Sequence, residues 1–165
     1  MTSHANSMNT NDLQNYVRSL SDSDRYELED EGLRVYESPA PSGYDAAPDG
    51  YVAFASTGGD GVHFNVPVSD VGPIVMTVPM AFDGPNIVVG ANIEEFLSLG
   101  CVYGYFRLEQ LAYGMEGTAN EIQAAKDPSA ALLKLASHFD LRPWPDVAQR
   151  LDQLNVDQAF NPSAT

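Results

Sequence analysis

With 165 residues, 23 acidic side chains against eight basic ones and a net charge of −15, the chain has the size of one domain and is strongly acidic. That balance tells against binding to nucleic-acid phosphates or anionic lipid, which needs Lys and Arg to displace counterions. The single cysteine, Cys101, excludes an intramolecular disulfide, and His4, His63 and His138 lack metal-ligand spacing, so neither a metal site nor another cofactor is expected.

A chain this long buries roughly 68–70% of the surface it exposes when unfolded, so its core needs no staple. No apolar run reaches the ~18–20 residues of a membrane span. Met1–Asn9 is polar, without the basic start and apolar centre of a signal peptide. These features predict a cytoplasmic protein with a flexible tail over 1–10, one folded domain over 11–154 and a loose end over 155–165.

Leu13, Tyr16, Val17 and Leu20 recur with helical spacing and predict a helix over Asp12–Leu20, capped by Asn11. A second, short helix is expected over Ser23–Glu31, ended by Gly32. Its sequence gathers Asp22, Asp24, Glu27, Glu29, Asp30 and Glu31. Such a charge run is either a solvated face or a docking surface for a basic partner. Leu33–Tyr36 alternates as a strand does, and Glu37–Gly50, rich in Pro and Gly, reads as a long loop.

Tyr51–Gly90 is the organising stretch. Tyr51–Ser56, Val62–Val68, Ile74–Val78 and Asn86–Gly90 are short runs rich in Val, Ile and Phe, divided by Gly, Pro, Asp and Asn. This is the pattern of successive antiparallel strands. Gly58, Gly59 and Gly61 suit a tight hairpin, with Asp60 bonding the local backbone. Pro67 marks a strand end or a sheet edge. The turn lacks the Lys-Ser/Thr ending of a phosphate cradle and the spacing of a calcium loop. His63, between Val62 and Phe64, is expected to make one satisfied hydrogen bond; with Asp60 it is the only pair here that would suit hydrolysis.

Asn92 and Glu95 have capping-box spacing and open a helix ended by Gly100. Cys101–Tyr113 reads as a further helix, with Gly104 inside it and Tyr103, Tyr105, Phe106 and Tyr113 as core aromatics. Cys101 itself is read as a small buried residue. Thr118 with Glu121 suggests another capping box, Pro128 a helix start, and Asp146–Leu154 a last helix beyond the connector Leu141–Pro145. The expected fold is therefore α+β: a single antiparallel sheet of about four to six strands, roughly residues 33–90, packed with flanking N- and C-terminal helices.

Phe54–Phe64, Pro73–Pro79 and Asn86–Leu97 resemble the SUKH superfamily, which includes fungal cell-wall-assembly regulators and many bacterial immunity proteins. In that family a strand with a Gly-Gly-Asp turn leads through further strands to a helix bearing a Phe-Leu pair. The resemblance covers about residues 50–113; the helices over about 118–154 form an extension. It implies a non-enzymatic bacterial protein that binds and neutralises a co-inherited toxin, often a basic nuclease. An acidic chain suits such a partner. The candidate contacts are Asp22, Asp24, Glu27, Glu29, Asp30, Glu31 and Asp60. A regulatory or scaffold module, and a small-ligand or hydrolytic domain using Asp60 and His63, are the alternatives.

Overall fold

The computed structural model describes residues 8–156. Two helices, α1 (Thr10–Ser19) and α2 (Asp22–Asp30), precede five strands: β1 (Arg34–Ala40), β2 (Tyr51–Ser56), β3 (His63–Pro67), β4 (Ile74–Thr77) and β5 (Asn86–Gly90). These pair antiparallel in the order β1-β2-β3-β4-β5, one continuous meander. Then come α3 (Ile93–Leu99), a 3-10 helix (Phe106–Ala112), α4 (Met115–Ala124), α5 (Ala130–Phe139) and α6 (Val147–Asn155). The α+β architecture expected from the apolar runs is the one observed. No helix among the described residues is long and apolar enough to cross a membrane. The expected tails at 1–7 and 157–165 lie outside the described residues, as does His4. Residues 8–10, 155 and 156 are described, with Thr10 and Asn155 belonging to helices.

Period-two alternation divides the strands between two faces. Phe54, Phe64, Val66, Ile74, Met76, Ile87 and Val89 join the buried core with α3. Phe96 of α3 lies against three aromatic rings, Phe54, Phe64 and Tyr105, at centroid distances of 5.9, 4.7 and 5.4 Å. Aromatic packing of this kind carries much of the buried area. The opposite face carries His63, Asn65, Thr77 and Asn86, all buried. Asn65 Nδ2 donates to Thr77 Oγ1 and to the Val75 carbonyl, both at 3.0 Å. Thr77 Oγ1 donates to Asn86 Oδ1 at 2.6 Å, and Asn86 Nδ2 to the Ala46 carbonyl at 2.8 Å. Satisfied in this way, Asn65, Thr77 and Asn86 bear burial under the 41–50 loop.

Local chemistry sets most element ends, with several corrections. The cap of α1 is Asn9, not Asn11: it forms a full capping box with Asp12. Ser21 caps α2. The strand expected at Leu33–Tyr36 continues through Pro39 to Ala40, because an edge strand tolerates a proline without a donor. Asn92 caps α3 through Glu95 N at 2.8 Å, while the Glu95 carboxylate accepts from Ala91 N. Thr118 caps nothing: α4 starts at Met115 after Gly114, and Thr118 is buried within it. Ser129, not Pro128, caps α5, and Asp146 caps α6.

Cys101–Tyr113 is not a single helix. The chain turns at Gly104, whose φ of +88° is left-handed, and only Phe106–Ala112 is helical, as a 3-10 helix. A tertiary contact decides this. The Glu31 carbonyl, at the end of α2, accepts from Tyr105 N at 2.7 Å and Phe106 N at 3.0 Å. Both amides are thereby drawn out of any helical ladder. Cys101 is buried, which raises its thiol pKa.

Candidate functional site

The β2–β3 hairpin closes over Thr57–Val62, where Thr57 N donates to the Val62 carbonyl at 3.2 Å and Val62 N to the Gly59 carbonyl at 3.1 Å. Gly58 and Gly61 take φ of +87° and +74°, and Asp60 itself is left-handed at +54°. Short polar residues such as Asp visit this region more readily than branched ones. The side chain that braces the turn is Thr57, whose Oγ1 accepts from Gly59 N at 3.3 Å. Asp60 is left exposed, pointing its charge outward from the hairpin rather than into its own backbone as the sequence predicted.

His63 is only 2% exposed. Its Nδ1 lies 2.8 Å from the Gly61 carbonyl. A carbonyl can only accept, so Nδ1 carries the proton of the neutral ring and Nε2 is a bare acceptor. Nε2 has no hydrogen-bond partner. The Tyr44 ring stacks over the imidazole at 5.4 Å and 22°, sealing it from the 41–50 side. Burial pushes the His63 pKa down, against a smaller upward pull from the Gly61 carbonyl. No hydrogen bond joins Asp60 to His63. The open clefts between α1 and α5 and beside α3 and α6 contain neither residue. Among the described residues no group of His, Cys, Asp and Glu is gathered to hold a metal ion.

The acids of α2 do not act as one uniform face. Arg25 lies 3.3 Å from Asp22 and 3.8 Å from Glu29, and Lys134 of α5 pairs with Asp24 at 2.7 Å. The hydrogen bond from Lys134 holds the Asp24 carboxyl below the usual range. Glu27 and Asp30 project into solvent. Glu31 turns the other way: its carboxylate lies beside Gly104, at the start of the 3-10 segment. Of the seven candidate contacts, Glu31 and Asp60 are placed toward the hairpin: the Glu31 carbonyl bonds Phe106 N, whose ring lies beside Gly59, and Asp60 is on the turn itself.

That end holds residues that sequence reasoning places elsewhere. The aromatic group expected in the core divides: Tyr105 is buried, its hydroxyl donating to the Leu97 carbonyl at 2.6 Å, whereas Phe106 is 47% exposed and Tyr113 is exposed too. A side chain at Gly59 would touch the Phe106 ring at 3.9 Å, so Phe106 stands beside the hairpin. Glu109, one helical turn on, has its pKa raised by burial and then by the charge of Asp60. The β4–β5 loop emerges at the same end of the sheet and exposes Met80 (58%) and Phe82 (80%). The signal in the sequence was available in part: Phe82 opens the Asp-Gly-Pro turn between two apolar runs and belongs to neither of them.

No known protein family, curated protein or solved structure matches this chain.

Proposed function

We propose that the chain is a non-enzymatic, cytoplasmic binding protein of bacterial immunity type, which neutralises a basic toxin domain, such as a nuclease, by covering its active cleft. The observation that carries this reading is the net charge of −15, together with acids that point outward: Asp60 on the hairpin, Asp22, Glu27 and Asp30 on α2. Opposite potentials speed encounter and reject wrong partners, which suits an inhibitor acting inside its own host. The resemblance of residues 54–64, 73–79 and 86–97 to the SUKH superfamily supports the same assignment. The imidazole of His63, closed under Tyr44 and separate from Asp60, offers hydrolysis no base within reach of a substrate.

The test is binding of the purified chain to the basic product of an adjoining gene, measured across a salt series. The expected result is a complex whose affinity falls steeply between about 50 and about 200 mM salt, because exposed charges are screened within roughly a Debye length. Stable interactors that show no salt dependence, with no toxin linked to the gene, would instead make the chain a regulatory or scaffold module.

A further inference from the structure

We propose that the partner is gripped at the hairpin end of the sheet, around Phe106, and not along α2, and that it presents a basic segment carrying one apolar anchor. This rests on the reading of the chain as an acidic binding protein.

Three observations converge there. First, Phe106 is a half-exposed aromatic held in place rather than a mobile one: its own amide donates to the Glu31 carbonyl at 3.0 Å, and its ring faces Gly59. Positioned aromatics of this kind, which lose little entropy on binding, are the residues that dominate interface energetics. Second, acids lie close by. The Glu31 carboxylate lies beside Gly104, two residues before Phe106, Asp60 follows Gly59 on the hairpin, and Glu109 is three residues further along the same helix. Burial and, second to it, repulsion from Asp60 raise the Glu109 pKa, and neither acid has an ion-pair partner among the described residues. A guanidinium or ammonium group from a partner would relieve that repulsion. The α2 acids are already partly neutralised by Arg25 and Lys134. Arg34, which lies along Gly58, is the base on the β1 side, and it limits the acidic surface there. Third, Met80 and Phe82 are exposed on the β4–β5 loop, at the same end of the sheet. An apolar centre with a charged rim is the anatomy of a protein interface.

The experiment titrates the full-length, isotope-labelled chain with two synthetic peptides at low salt, following amide chemical shifts. One is Lys-Lys-Arg-Trp-Lys-Arg-Lys; the other has Gly in place of Trp. The expected result is shifts centred on residues 57–62 and 104–109, and about ten-fold tighter binding of the Trp peptide, the advantage an anchoring aromatic confers. Phe106→Ser, whose fold is checked by circular dichroism, abolishes the difference; Phe106→Leu keeps part of it. Asp60→Asn with Glu109→Gln weakens both peptides, whereas Asp22→Asn with Glu27→Gln and Asp30→Asn leaves both within about two-fold, as expected for screened charges outside the contact. Shifts centred on α2, or a Trp advantage that survives Phe106→Ser, would overturn this placement while leaving the acidic-binding reading intact. Absence of binding by either peptide would overturn both.

Discussion

His63 is a neutral imidazole confined where a charged one is unwelcome. Its folded-state pKa lies below the value of about 6.5 that an unfolded chain shows. The unfolded state therefore takes up the proton first as pH falls. Stability linked to this residue is complete above about pH 6.5 and declines as pH drops below it, toward the folded-state pKa, with a slope of at most about 1.4 kcal/mol per pH unit. Urea midpoints of the wild type and His63→Phe, taken at about pH 7.5 and about pH 5, isolate that contribution, since other titrating groups are common to both. The wild type is expected to lose more than the variant across the interval. Equal losses would show that Nε2 reaches water and that Tyr44 does not seal it.

Between elements, the junction of α2 with the 3-10 helix is the tightest constraint. Gly32 has φ of +89°, and a Cβ there would fall 2.2 Å from Phe106 N, a backbone atom that cannot swing aside. Gly32→Ala combines left-handed strain of roughly 1–2 kcal/mol with displacement of the Phe106 segment, so a total above about 2 kcal/mol is expected. For a chain of this size that lowers Tm by about 4–8 °C in a thermal melt. Gly117→Ala is the control. Gly117 lies within α4 with open space around it, and alanine there is expected to add about 0.5–1 kcal/mol by restricting the unfolded chain. A Gly32 variant as stable as the parent would mean that the junction is loose and that Phe106 is not held in position.

At the scale of the molecule, an open meander has two edges to protect from pairing with other chains. The β1 edge carries α1, whose Arg18 donates to the Glu37 carbonyl at 3.3 Å, and a pairing irregularity between Val35 and Ala40. At the β5 edge, the Asn155 side chain takes the place of a further strand: it accepts from Val88 N at 2.7 Å and donates to the Val88 carbonyl at 2.9 Å. The same helix is fastened to α3 by Arg150, which donates to Glu95 through Nε at 2.9 Å and through Nη2 at 3.1 Å. Asn155→Ala removes two hydrogen bonds at the edge and is expected to cost about 1–3 kcal/mol. Hydrogen exchange at Val88 should quicken by more than at Ile87 or Val89. An unchanged Val88 rate would assign the edge protection to the packing of α6 alone.

The amino-acid order determined by itself what depends on neighbours close along the chain. Alternating Val, Ile and Phe with Gly-rich breaks mark β2 to β5, and Asn92, three residues before Glu95, marks the start of α3, because strand pleat, turn torsions and capping are local properties. The excess of acid over base was equally plain, being a sum. The tertiary structure alone decided the rest. Glu31 reaches across more than seventy positions to Phe106 and unmakes a helix that periodicity favours. Asn65, Thr77 and Asn86 join one buried network only through the register of neighbouring strands. Asp60 parts from the α2 acids and meets Glu109 for the same reason: which surface residues become neighbours is set by how packed elements are brought together, and no spacing along the chain encodes that distance.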